Sequence, residues 1–163
     1  MTKPKGYSRL QIALHWLTVI LLAAMFLNED PIKEAFRSLM RTGTFTQTPL
    51  VAAHIFGGLT VLALAAIRFA IKLRRGSPPL PENESPLLQR IAIGTHHALY
   101  TLMFLVPIAG AIAWFGEIRW MGDVHEIIQN WLLAVAGLHV AGALYQHFIL
   151  KSDVLMRMRR PES

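Results

Sequence analysis

Apolar positions along the chain gather into four long runs separated by polar, proline-rich or charged stretches. Residues 10–27 are 18 positions without a charge, and 50–73 are apolar until Arg68 and Lys72 near their end. Residues 91–115 supply 25 uncharged positions and 127–150 supply 24 more. A hydrocarbon layer of about 30 Å needs roughly 20 helical residues at a rise of about 1.5 Å each, so every run is long enough to span it. The pattern predicts an all-α, integral-membrane four-helix bundle with helices at about 10–27, 50–73, 91–115 and 125–150, forming one transmembrane domain over 1–163. Lys3, Lys5 and Arg9 precede the first run as in a secretory leader. That run nevertheless contains His15 and ends at Phe26, Leu27 and Asn28 without a small-residue cleavage site, so it is read as a retained helix. Between the first two runs, residues 32–40 have the spacing of a short amphipathic helix for the membrane surface. Pro78, Pro79 and Pro81 predict an extended connection after the second helix, and Pro107 predicts a kink in the third.

Composition sharpens this picture. Only 16% of residues are charged and 53% are hydrophobic, with a mean hydropathy of +0.40, whereas ordinary soluble domains carry about 25% charged residues. With no cysteine, disulfides, thiolate metal sites, iron–sulfur clusters and c-type haem attachment are excluded. Of the sixteen Lys and Arg residues, twelve lie on the side that holds both termini and only Lys33, Arg37, Arg41 and Arg119 lie on the other. That bias predicts an N-in, C-in topology in an inner (plasma) membrane. It also accounts for the pI near 10.2 without nucleic acid, because the basic tail at Arg157, Arg159 and Arg160 sits where anionic lipid headgroups would be. Trp16, Trp114 and Trp120 suit an interfacial aromatic belt.

The chemistry lies in the histidines, since ionisable groups within a bilayer are costly and face the bundle interior. His125 and His139 are fourteen residues apart, which puts them within about 40° of one helix face and roughly 21 Å apart along the axis. Helices one and four run antiparallel, so His15 falls at the depth of His139, and His54 on helix two falls at the depth of His125. Two facing imidazoles leave tetrahedral zinc short of ligands. A haem iron, which needs two axial donors, is matched by each pair. Gly57 and Gly58 follow His54, and Ala136, Gly142 and Ala143 flank His139; small residues there admit a broad flat macrocycle, although they also serve ordinary packing between membrane helices. His96, His97 and His147 are placed near the inner site, as partners for haem carboxylates, proton carriers or solvated interfacial groups. Arg68 suits a haem carboxylate or an inner headgroup, and Glu126 an outer group beside His125 or a simple helix-start acid.

These residues resemble the bacterial cytochrome b561 family of dihaem four-helix membrane cytochromes, which is related to the cytochrome b subunits of nickel–iron hydrogenases. The likeness covers nearly the whole chain. Tyr7-Ser8-Arg9-Leu10-Gln11-Ile12-Ala13-Leu14-His15-Trp16 is similar to the family's N-terminal signature, His54-Ile55-Phe56-Gly57-Gly58 to its second-helix ligand site, Arg68 and Arg74 to the basic end of that helix, His125-Glu126 to the third ligand site, and Gly137-Leu138-His139 to the fourth. The resemblance implies two non-covalent haem b groups held by His15 with His139 and His54 with His125. It also implies electron transfer in a respiratory chain, and, in the short members resembling superoxide oxidase, oxidation of superoxide outside with ubiquinone as acceptor. No residue is singled out as catalytic. Two alternatives stay open: a haem-bearing anchor subunit for a hydrogenase- or dehydrogenase-like redox partner, and a haem-free membrane protein that moves protons or a metal ion.

Overall fold

A computed structural model describes residues 4, 6–80 and 84–162; Lys3, Lys5 and Pro81, used above, lie outside the described residues. Every element is helical: α1 (Arg9–Leu27), α2 (Asp30–Thr42), α3 (Pro49–Arg75), α4 (Pro86–Phe115), α5 (Arg119–Phe148) and α6 (Val154–Arg157). Four of these, α1, α3, α4 and α5, are long and apolar enough to cross a membrane. Their starts are written locally. Ser8 and Gln11 form a reciprocal capping box on α1, and Thr48 and Ser85 cap α3 and α4 through their hydroxyls, each followed by proline at the first helical position. α2 ends at Gly43, whose φ of 71° is left-handed and suits glycine.

Two boundaries differ from expectation. α4 begins at Pro86, five residues before the predicted 91, because the Ser85 cap organises the turn ahead of the apolar run. α5 begins at Arg119, where Arg119 and Asp123 form a polar extension of the apolar helix. His125 is therefore not at the start of its helix but nearly two turns in. Pro107 is buried within α4, which remains one helix across it.

Packing runs in series: α1 lies on α3, α3 on α4, and most extensively α4 on α5. α1 and α3 pack closely at Gly57, where a Cβ would collide with Sδ of Met25. Ala65, Met103, Val106 and Leu132 form the buried core between α3, α4 and α5. Large apolar side chains such as Leu27, Phe56, Leu73, Trp131 and Phe148 point outward, as suits a protein whose outer solvent is lipid.

At one end of the bundle, hereafter the terminal end, the first and last described segments meet. The Glu162 amide donates to the Tyr7 carbonyl at 3.0 Å, Arg75 pairs with Glu162 at 2.6 Å, and Trp16 Nε1 donates to the Met158 carbonyl at 2.9 Å. The opposite end carries α2, the amphipathic helix expected over 32–40. Phe36 of α2 seats against Gly122, where a Cβ would meet its ring at 2.5 Å, and Phe36 and Phe45 pack on Trp114.

Lys33 of α2 bonds Glu29 at 2.7 Å and reaches Glu126 at 3.6 Å, and Gln129 Nε2 donates to Glu29 at 2.6 Å. Burial works to raise the Glu29 carboxyl, but the bonds from Lys33 and Gln129 outweigh it and hold that carboxyl below its usual range; the bond to Glu29 raises the Lys33 ammonium. A depressed carboxyl stabilises above its unfolded pKa of about 4.3 and stops doing so as pH falls through the folded value; a raised ammonium stabilises below its unfolded pKa of about 10.4 and stops as pH rises through the folded value. Melting of the detergent-solubilised protein should show this contribution, about 1 kcal/mol or less, constant between those limits. Glu29→Gln should remove it, and an unchanged acid limb in that variant would contradict the assignment.

Candidate functional site

Four histidines predicted from depth are brought together in two pairs. His54 of α3 and His125 of α5 have ring centres 6.4 Å apart toward the α2 end. His15 of α1 and His139 of α5 have ring centres 6.4 Å apart toward the terminal end. An imidazole nitrogen binds a metal at about 2.0 Å, and its ring centre lies about 1.2 Å further on given ring bonds of about 1.3 Å, so two in-line imidazoles on one metal have ring centres about 6.4 Å apart. Both pairs stand at that separation.

The donor set limits which metal fits. Among the described residues no group of three or more His, Cys, Asp or Glu side chains is arranged to hold an ion. Two imidazoles alone suit a metal that brings its own equatorial ligands, as haem iron does. All four histidines line one interior cavity of about 1810 Å³ between the helices, against about 300–1,000 Å³ for an ordinary single-ligand pocket. His54 Nδ1 is buried with no hydrogen-bond partner among the described residues, a costly state for a polar nitrogen within an apolar bundle.

Each histidine is held differently. His125 Nδ1 lies 2.8 Å from the Val106 carbonyl oxygen; since a carbonyl only accepts, Nδ1 carries the ring proton and Nε2 keeps its lone pair. Arg68 Nη2 lies 3.1 Å from His15 Nδ1. A guanidinium only donates, so here Nδ1 accepts and the ring proton sits on Nε2, and Arg68 must leave before His15 presents Nε2 as a donor. Arg68 also stands 5.9 Å over the Tyr100 ring, and Lys72 stands 4.9 Å over it from the same end.

The small residues divide. Gly58 and Gly142 line the cavity, and a Cβ at Gly142 would meet nothing within 4 Å. Gly57, expected beside the macrocycle, is instead turned to Met25 as a helix-packing residue. Glu126 reaches Lys33 at 3.6 Å. His96 stands 5.1 Å from His139 between ring centres, with Nδ1 on the Ala92 carbonyl at 2.7 Å, and His97 lines the cavity. His147 packs edge-on to Phe148 at 4.9 Å and is absent from the cavity wall. Gly110 was not foreseen. A Cβ there would come within 2.9 Å of Cε1 and 3.0 Å of Nδ1 of His125, but a glycine on a helix with no ligand of its own carries no signal in the sequence.

Known proteins are similar to this chain over nearly its whole length. The family described as prokaryotic cytochrome b561 matches residues 6–161. A protein named cytochrome b562 from Cereibacter sphaeroides is 31% identical over 161 residues, covering 99% of each chain. The probable superoxide oxidase CybB of Yersinia pestis is 29% identical, covering 94% of this chain and 96% of its own. Cytochrome b561 homolog 1 of Escherichia coli is 23% identical, covering 93% and 96%.

Proposed function

This chain belongs to the prokaryotic cytochrome b561 family, and we propose that, as a multi-pass bacterial membrane b-type cytochrome, it holds two haem b groups and carries single electrons between the outer face of the inner membrane and the quinone pool. The carrying observation is the pair of 6.4 Å ring-centre separations, one toward each end of the bundle. Haem supplies a one-electron iron couple when bound. His15 with His139 and His54 with His125 would hold the metals from both sides, so reactants would exchange electrons without binding them.

The terminal end is assigned to the cytoplasm on its cations: Arg9, Arg74, Arg75, Lys151, Arg159 and Arg160 are among those gathered there. His54 and His125 then serve the outer side, under α2. Superoxide is the reductant suggested by the name of the Yersinia relative. Of the four outer cations, Lys33 and Arg37 are engaged by carboxylates, which leaves Arg41 and Arg119 to steer an anion. Two superoxide anions give one electron each and leave as dioxygen; one ubiquinone takes both electrons and two protons.

In purified protein, a reduced-minus-oxidised spectrum should show a sharp α-band and pyridine haemochromogen two haems per chain. Superoxide supplied to protein with ubiquinone should give ubiquinol, and the rate should fall at least tenfold in Arg41→Glu/Arg119→Glu if those cations steer the anion. Two haems with no superoxide-dependent quinone reduction would replace this reading with that of an anchor for a redox partner. No α-band would replace it with the haem-free reading.

A further inference from the structure

α4 contributes no histidine to either pair, yet its backbone sets the tautomer of a histidine in one of them. His125 Nδ1 sits 2.8 Å from the Val106 carbonyl, and Val106 is buried. A carbonyl oxygen has two lone pairs, so it can accept from the imidazole alongside its helical partner. One turn on, at Gly110, the helix surface has no side chain, and the imidazole edge lies in that notch: a Cβ would sit 2.9 Å from Cε1 and 3.0 Å from Nδ1, closer than carbon atoms pack. Among the described residues, His54 and His15 lack such a seat. His54 Nδ1 has no partner, and His15 Nδ1 faces the long flexible Arg68.

We propose that Val106 and Gly110 of α4 are positioning residues for the haem nearer α2: the glycine notch lets the His125 ring reach the Val106 carbonyl, which holds the proton on Nδ1 and presents Nε2 towards His54. This rests on the reading of His125 as an axial ligand. An Nδ1–H donating to a carbonyl makes Nε2 a stronger donor, which favours the ferric over the ferrous state and lowers the reduction potential. The seat would therefore both aim the ring and lower that haem's potential.

Gly110→Ala tests it, with Gly94→Ala as control, since a Cβ at Gly94 of the same helix would meet nothing within 4 Å. In Gly110→Ala the redox titration should resolve one haem moved to higher potential, or haem per chain should fall from two towards one, while Gly94→Ala matches the parent. Two haems with both potentials unchanged in Gly110→Ala would overturn the proposal. If Gly110→Ala fails to fold, nitrogen-15 spectra of histidine-labelled haem-free protein, assigned with His125→Ala, still decide: the Nδ1–H tautomer at His125 supports the seat and the Nε2–H tautomer overturns it. Retention of both haems in His125→Ala would instead remove the parent reading, whatever Gly110→Ala does.

Discussion

If each pair holds one haem, alanine at His54 or His125 is expected to leave one haem per chain instead of two, and alanine at His15 or His139 to do the same at the other end. Each pair spans a different pair of helices, α3 with α5 and α1 with α5, and each has the ring separation of two donors on one metal. Loss of one imidazole would remove one of the two donors proposed for that haem and leave the remaining ring facing a gap, while the second site, roughly 21 Å away along α5, would keep both of its donors. Combining a replacement from each pair should therefore abolish haem altogether. His147→Ala is the control, because that ring packs on Phe148 away from the cavity, and it should retain both. Haemochromogen counts on purified variants decide this; loss of both haems from a single replacement would show that the sites are not independent.

Leucine at two glycines should give opposite results. At Gly142 the added side chain enters the cavity beside His139, where a Cβ meets nothing within 4 Å; the bundle should keep its melting temperature or gain slightly, since a helical glycine costs about 1 kcal/mol, while haem at His15 and His139 is lost. At Gly57 the same change drives into Met25 between α1 and α3, and overpacking of that kind costs about 1–3 kcal/mol or more. Gly57→Leu should lower the melting temperature whether haem is present or absent. If both variants melt alike and both lose haem, the distinction between a cavity glycine and a packing glycine is wrong.

That distinction also marks what was legible in the sequence. Four apolar runs against a bilayer thickness suffice for the spans, and the depth of each histidine follows from helix direction and rise, so the two pairs needed no coordinates. A rotation of about 100° per residue separates Gly57 from Gly58, and which of the two faces the interior depends on how α3 is turned against α1, a tertiary matter. Likewise the early start of α5 could not be read from hydropathy, because Arg119 and Asp123 are polar helix residues beyond the apolar run. The seat of His125 was invisible for another reason: it is made by a backbone carbonyl and by the absence of a side chain, neither of which leaves a mark in residue chemistry.

The ties between Glu162 and Tyr7 and between Met158 and Trp16 have a consequence for the order of folding. Trp16 and Met158 are 142 positions apart in the chain, and closing so long a loop must wait until its distal partner has been synthesised. α1 can thus pack on α3 early, but the wall bearing His15 is latched only once residues 158–162 have been made.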